Sequence, residues 1–154
     1  MVSVLMLAWE FPPRIVGGIA QHVYNLSRAL TRSGIEVFVA TCDFPNTPSR
    51  EEVEGVHVLR VDAYSIPSPD FPSWVYLMNL NMVNEVAPMI REKGIDLLHA
   101  HDWLVALAGI GLKSMLRVPL VTTMHSTEEG RRNGLHSDYQ RMIHQTEWWL
   151  TYES

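Results

Sequence analysis

Three short stretches of this chain combine residue types that can do chemistry. The first runs Glu10-Phe11-Pro12-Pro13-Arg14-Ile15-Val16-Gly17-Gly18-Ile19-Ala20-Gln21-His22, with two adjacent glycines between an apolar strand-like run and a helix-like run. A glycine pair lacks Cβ atoms, so a ligand can come close to the backbone at the bend. The free N–H groups of the helix that follows, together with its dipole, favour an anion. A phosphate or diphosphate is therefore the expected guest at Gly17 and Gly18. Double glycines also mark ordinary turns. The stretch is neither the G-x-G-x-x-G dinucleotide fingerprint nor a Walker A loop.

The second stretch is His99-Ala100-His101-Asp102-Trp103. His99 and His101 lie two apart on a strand-like segment and so share one face. His125, at the end of the next strand in sequence, makes a third imidazole that suggests zinc. No spaced cysteine or second carboxylate accompanies them, so no metal is expected; one core histidine and two facing a pocket is the alternative. Asp102 at a strand tip suits helix capping, sugar-hydroxyl binding or both. Trp103 suits stacking on a sugar face or packing against the sheet.

The third stretch, His125-Ser126-Thr127-Glu128-Glu129-Gly130-Arg131-Arg132-Asn133-Gly134, reads as a polar loop. His125 follows an apolar strand directly and is expected at a pocket rim, with Ser126 beside it. No G-x-S-x-G elbow exists for a serine hydrolase. Cys42 has no basic neighbour and reads as a small buried hydrophobe. Trp74, Tyr76 and Met78 read as core or packing surface.

These residues need a scaffold that gathers them, and the hydrophobic pattern supplies one. Val2 to Ala8, Ile35 to Thr41, Val56 to Val61, Ile95 to Ala100 and Val118 to Met124 read as five strands. Gly18 to Arg32, Ser73 to Lys93, Trp103 to Leu116 and Ser137 to Tyr152 read as helices. Gly34 supplies a left-handed cap and Gly94 ends the second helix; Pro88 should kink or break that helix. Asp43 to Gly55 reads as a turn-rich loop. Alternating strands and helices predict an α/β fold, a parallel sheet in a three-layer sandwich. In such sheets ligands gather at the carboxyl ends of the strands, where all three stretches fall.

Composition narrows the partners. A net charge of −5 from 12 basic and 17 acidic residues, with Arg131-Arg132 the one adjacent basic pair, argues against nucleic acid. The lone cysteine excludes an internal disulfide and fits a reducing, cytoplasmic setting. The longest uncharged apolar run, Trp103 to Leu112, is ten residues, against the ~20 a membrane span needs. The ending, Trp148-Trp149-Leu150-Thr151-Tyr152, is so aromatic that it reads as a domain cut short, its apolar side chains awaiting partners.

Taken together, the motifs resemble those of retaining GT-B glycosyltransferases, in the group of glycogen and starch synthases and glycosyltransferase family 4. The resemblance rests on Glu10-Phe11-Pro12-Pro13 with Gly17-Gly18-Ile19-Ala20-Gln21-His22, Asp96 to Trp103, Val121 to His125, and Ile143-His144-Gln145-Thr146-Glu147-Trp148-Trp149. It implies a Rossmann-like sheet with helices on both faces, residues 1–154 being an incomplete N-terminal, acceptor-side domain without its C-terminal donor-binding partner. It also implies a sugar transferase acting with retention, using a nucleotide-sugar such as ADP-glucose or UDP-glucose, an α-glucan acceptor and no obligatory metal or other cofactor. By position, Gly17 and Gly18 would meet the donor diphosphate and His125 the donor sugar near its reacting carbon. Asp102 would stand at the acceptor or donor-sugar side. Arg14, His101, Trp103 and Ser126 are further candidate contacts. Bacterial glycogen synthases carry a lysine where this chain has Ile15, which leaves Arg14 as the nearest cation. The alternatives are a sucrose- or trehalose-phosphate-type synthase, a mannosyltransferase, or a non-catalytic Rossmann-like binding module.

Overall fold

The computed structural model describes residues 2–154. Six strands, β1 (Ser3–Leu7), β2 (Glu36–Cys42), β3 (Arg50–Val53), β4 (Val56–Val61), β5 (Leu97–His101) and β6 (Leu120–Thr123), form one sheet in the order β3-β4-β2-β1-β5-β6. Five helices accompany them: α1 (Gly18–Arg32), α2 (Phe71–Lys93), α3 (Ala106–Leu116), α4 (Glu128–Arg132) and α5 (Asp138–Glu153). All neighbouring strands run parallel except β3, which pairs antiparallel with β4. Leu5 of β1 lies between Phe38 of β2 and Leu98 of β5. β1 is buried along its whole length, as a central strand covered on both faces must be.

The period-two alternation of strand side chains splits the core between two faces. Val4, Met6, Val37, Val39 and Val58 pack with Val23 and, less deeply, Leu26 and Leu30 of α1. Leu5, Leu7, Phe38, Ala40, Leu98 and Ala100 face the other way, into a larger core with α2, α3 and α5. One helix thus covers one face while three crowd the other. On β5, Leu98 and Ala100 point to the larger core, which turns His99 and His101 toward the α1 side.

Several local readings change. The segment expected as a loop from Asp43 to Gly55 contains β3, which pairs with β4 through a tight turn. Glu54 and Gly55 both have positive φ (50° and 82°), the requirement of a type I′ hairpin. Three of the four β3 residues are charged, which hides an edge strand and also guards it against mispairing. Pro88 does not break α2. The bond its missing N–H would make falls on the carbonyl of Asn84, which like Pro88 is exposed and can turn to water. That helix starts earlier than expected because the carboxylate of Asp70 accepts from Ser73 N at 2.8 Å. The expected Trp103–Leu116 helix is a 3-10 turn over Trp103–Val105 followed by α3. At the chain's end, Leu150 is fully buried in the larger core rather than unpartnered. Trp148 and Tyr152 remain exposed and stack on each other at 5.2 Å. Cys42 is a free, buried thiol whose pKa burial pushes up to about 12. No helix among the described residues is long and apolar enough to cross a membrane.

Candidate functional site

The carboxyl ends of β1, β5 and β6 open onto a cavity of about 470 Å³ lined by Glu10, Gly17, Gly18, Asp102, Trp103, His125, Ser126 and Arg131, among others. The topology explains the gathering. β1 and β5 are neighbours, β5 and β6 are neighbours, and all three run parallel, so the segments leaving their ends meet on one rim. A second cavity of about 460 Å³, lined by residues of β2, β3, β4 and the end of α2, includes none of these residues.

The first wall of the site is the β1–α1 segment. Gly17, at the N-cap position of α1, has no side chain to cap the helix. Glu10, only 1% exposed, does so from outside: Oε2 accepts from Val16 N at 2.5 Å and Gly17 N at 2.9 Å, and Oε1 accepts from Ala20 N at 3.3 Å. A carboxylate of the protein thus already occupies part of the anion-favouring helix start. The space around Gly18 is open: apart from its chain neighbours and the backbone of its own helix, no heavy atom lies within 4 Å of where a Cβ would stand. Glu10 belongs to the motif quoted above, but no role for it follows from residue type alone, because its partners are backbone amides six to ten residues away.

Arg14 is not among the residues lining this cavity. Its guanidinium lies over the rings of Trp9, Tyr64 and Trp74 at 5.4, 5.6 and 6.0 Å, and Nη1 donates to the Tyr64 hydroxyl at 2.8 Å. The cation lining the cavity is instead Arg131, from α4 in the segment expected to be a loop. Arg131 Nη1 donates to Ser126 Oγ and Nη2 to Glu128 Oε2, both at 2.9 Å. Glu147 of α5, 3% exposed, accepts twice from Glu128 N at 2.8 and 3.1 Å and lies 3.9 Å from Arg131. Burial raises the pKa of Glu147 while the Glu128 amide and Arg131 oppose the rise.

Asp102 caps a helical turn and stands at the cavity. Its Oδ1 accepts from Trp103 N at 2.8 Å, capping the 3-10 turn, and the residue also lines the cavity. Its φ is +69°, an uncommon conformation for a residue with a side chain, held by its N–H donating to Thr123 O at 3.0 Å. Burial raises its pKa, against the opposing hydrogen bond from Trp103. Trp103 is buried, meets Phe71 edge-on at 6.4 Å and contributes to the lining.

The histidines divide differently from the expected set. His99 Nε2 pairs with Thr123 Oγ1 at 2.8 Å. Fully buried His101 lies with its ring centre 4.1 Å from that of His99 and also meets His125, Nδ1 to Nε2 at 3.4 Å; His22 of α1 joins these two. Strand parity is the signal that finds His22: α1 covers the face toward which His99 and His101 point. Burial is the main cause that pushes His101 down to about 2 and His99 to about 4, and it lowers His125 as well. The first two are neutral imidazoles at pH 7.

Fold and site together define a Rossmann-like unit with a polar, partly cationic cavity at its strand ends. A family model described as Glycosyltransferase Family 4 matches residues 16–154, and the chain belongs to that family. It is 40% identical over 153 residues to an uncharacterized glycosyltransferase of Methanocaldococcus jannaschii, covering 99% of this chain and 38% of the relative. It is 36% identical over 169 residues to a glycogen synthase of Mycobacterium tuberculosis, covering 99% of this chain and 41% of the relative. The chain therefore spans less than half the length of these relatives. Among solved structures it is similar to sucrose-phosphate synthase from Thermosynechococcus elongatus, with TM-score 0.77 and 19% identity over 98% of this chain and 39% of that one. It is also similar to the catalytic domain of starch synthase IV from Arabidopsis thaliana, with TM-score 0.57 and 19% identity over 83% of this chain and 34% of that one. These likenesses place the fold with one Rossmann-like unit of the GT-B glycosyltransferases.

Proposed function

We propose that this chain is the N-terminal, acceptor-side unit of a retaining glycosyltransferase that moves glucose from ADP-glucose or UDP-glucose to an α-glucan. The observation that carries the reading is the convergence of Gly18, Asp102, His125 and Arg131 on one cavity at the ends of three parallel strands. The near-full-length likeness of this chain to a glycogen synthase supports glucan as the acceptor.

In this reading the open backbone at Gly17-Gly18 and the Arg131 guanidinium face the leaving diphosphate, where negative charge develops. Fixed dipoles and cations at such a point stabilise the transition state without reorganising. His125, its pKa lowered by burial, acts as a neutral hydrogen-bonding group against the donor sugar rather than as a cation. Asp102, held rigid by its own cap bond, orients sugar hydroxyls. No protein nucleophile and no metal enter the step.

The test is transfer of labelled glucose into glycogen from ADP-, UDP- and GDP-glucose, using the protein expressed from the whole of its open reading frame. Incorporation from an ADP- or UDP-donor is expected. His125→Ala should lower kcat by ~100–1000-fold, the cost of ~2.7–4 kcal/mol for one transition-state contact. Absence of glucan labelling with every donor overturns the glucan reading. An unchanged kcat in a folded His125→Ala protein removes His125 from the site.

A further inference from the structure

The imidazoles of His22 on α1, His101 on β5 and His125 just after β6 converge at the strand ends. One ring nitrogen of each lies within 4.8 Å of the others. Their ring centres are 5.5 Å (His22–His101), 4.8 Å (His22–His125) and 5.6 Å (His101–His125) apart. Zinc–nitrogen bonds of about 2.0–2.1 Å at tetrahedral angles put ligand nitrogens about 3.3–3.4 Å apart and their ring centres about 5 Å apart. The 3.4 Å between His101 Nδ1 and His125 Nε2 matches that edge. It is long for a hydrogen bond, which for nitrogen donors centres near 2.9–3.0 Å.

We propose that His22, His101 and His125 form a three-histidine site for a zinc-type divalent ion. Among the described residues, fully buried His101 has one polar contact, Nδ1 to His125 Nε2, and its Nε2 has none, so burial of this imidazole is otherwise uncompensated. Asp102 and Glu10 act electrostatically on His125 and supply counter-charge to a dication. His22 is exposed, so the ion has a way in. Three protein ligands leave a fourth position for water or an incoming group, the arrangement of open rather than purely structural zinc sites. Imidazole ligands favour zinc and its later first-row neighbours over magnesium, which prefers oxygen. The ion's binding rests on this geometry alone. That ion and donor sugar exclude each other rests in addition on the function proposed above, because His125 serves both.

Calorimetric titration of the metal-stripped protein with Zn²⁺ tests the site, with Co²⁺ absorption as a report on coordination. One equivalent of zinc should bind, cobalt should give the visible spectrum of a tetrahedral nitrogen site, and Mg²⁺ should not compete. His22→Ala, an exposed position on a helix, should weaken zinc more than the roughly 10–100-fold that losing an outer-shell partner costs. His57→Ala, at the other cavity, should leave binding unchanged. A melting curve for each variant confirms that it is folded. Failure of the wild-type protein to bind one equivalent, undiminished binding by folded His22→Ala, or loss of binding in folded His57→Ala each overturns the assignment. None of these readouts depends on transferase activity, so the zinc site and the transferase reading fail separately.

Discussion

The two walls of the cavity hold their buried carboxylates in opposite ways. On the β1–α1 wall, Glu10 is satisfied by the amides of Val16, Gly17 and Ala20. On the α4–α5 wall, Glu147 accepts from the Glu128 amide and, with Glu128, lies beside Arg131. The first wall uses up part of its helix-start amides on its own anion and contributes no lining cation. The second concentrates carboxylates around a guanidinium that still reaches the cavity. In the function proposed above, anion binding would be divided between the helix-start backbone around Gly18 on one side and an anchored arginine on the other. A ligand diphosphate that bridges them would sense both walls at once.

Breaking the first wall should have the largest effect on stability. Glu10→Ala removes the acceptor for three amides at the start of a helix that has no capping side chain of its own. Hydrogen bonds to a charged group contribute about 1.5–3 kcal/mol each and are not additive, so a loss of about 3 kcal/mol is expected. A denaturant titration checks this. An unshifted midpoint would mean that water caps α1 equally well, and the contrast between the walls would collapse.

The cations sharpen the contrast from the side of binding. Arg131→Ala should weaken pyrophosphate binding about tenfold or somewhat more, in the range of one charge-assisted contact, as read by calorimetry. Arg14→Ala should leave affinity nearly unchanged, because its guanidinium is spent on three aromatic rings and Tyr64. The reverse ranking would restore Arg14 as the anion-facing cation.

Glu147→Gln gives a smaller and pH-dependent effect, of order 1 kcal/mol near neutral pH. Burial raises the folded-state pKa of Glu147 above its unfolded value. The folded state then binds more protons than the unfolded one in the weakly acidic range, so this group's contribution grows as pH falls. The wild-type protein should gain on Glu147→Gln as pH drops from 7, by no more than ~1.4 kcal/mol per pH unit for one proton. A pH-independent difference between their melting temperatures would argue against a raised Glu147.

The sheet was legible because its strands are apolar runs separated by glycines and polar turns, and the gathering at strand ends follows from parallel topology. Gly17-Gly18, Asp102, Trp103, His125 and Ser126 all line the cavity for that reason. What escaped was whatever depends on pairing across distance. Glu10 acts through backbone amides that have no signature in residue type. Arg131 is aimed by Glu128 and by Glu147, one of them 16 positions further along the chain on another helix. His22 joins His101 only once α1 is laid over the odd-numbered face of β5. β3 was hidden by its charges, since an edge strand need not be apolar.

The outer face of α5 provides the smallest expected effect and tests how far the second wall extends. Glu147 and Leu150 turn inward, the one to α4 and the other into the large core, while Trp148 and Tyr152 lie outside at 62% and 71% exposure. Their stacking at four-residue spacing is a surface pair, a kind that adds about 0.2–0.5 kcal/mol to a helix. Trp148→Ala should therefore change stability by less than about 0.5 kcal/mol. Removing so large an exposed aromatic should nevertheless reduce self-association at high concentration, because each such ring can bury 150–250 Å² in a contact. Sedimentation and thermal melting of the same preparation separate the two quantities. A large loss of stability would show that the outer face of α5 supports the Glu147–Arg131 wall, and the boundary between site and surface would then lie one helix face further out.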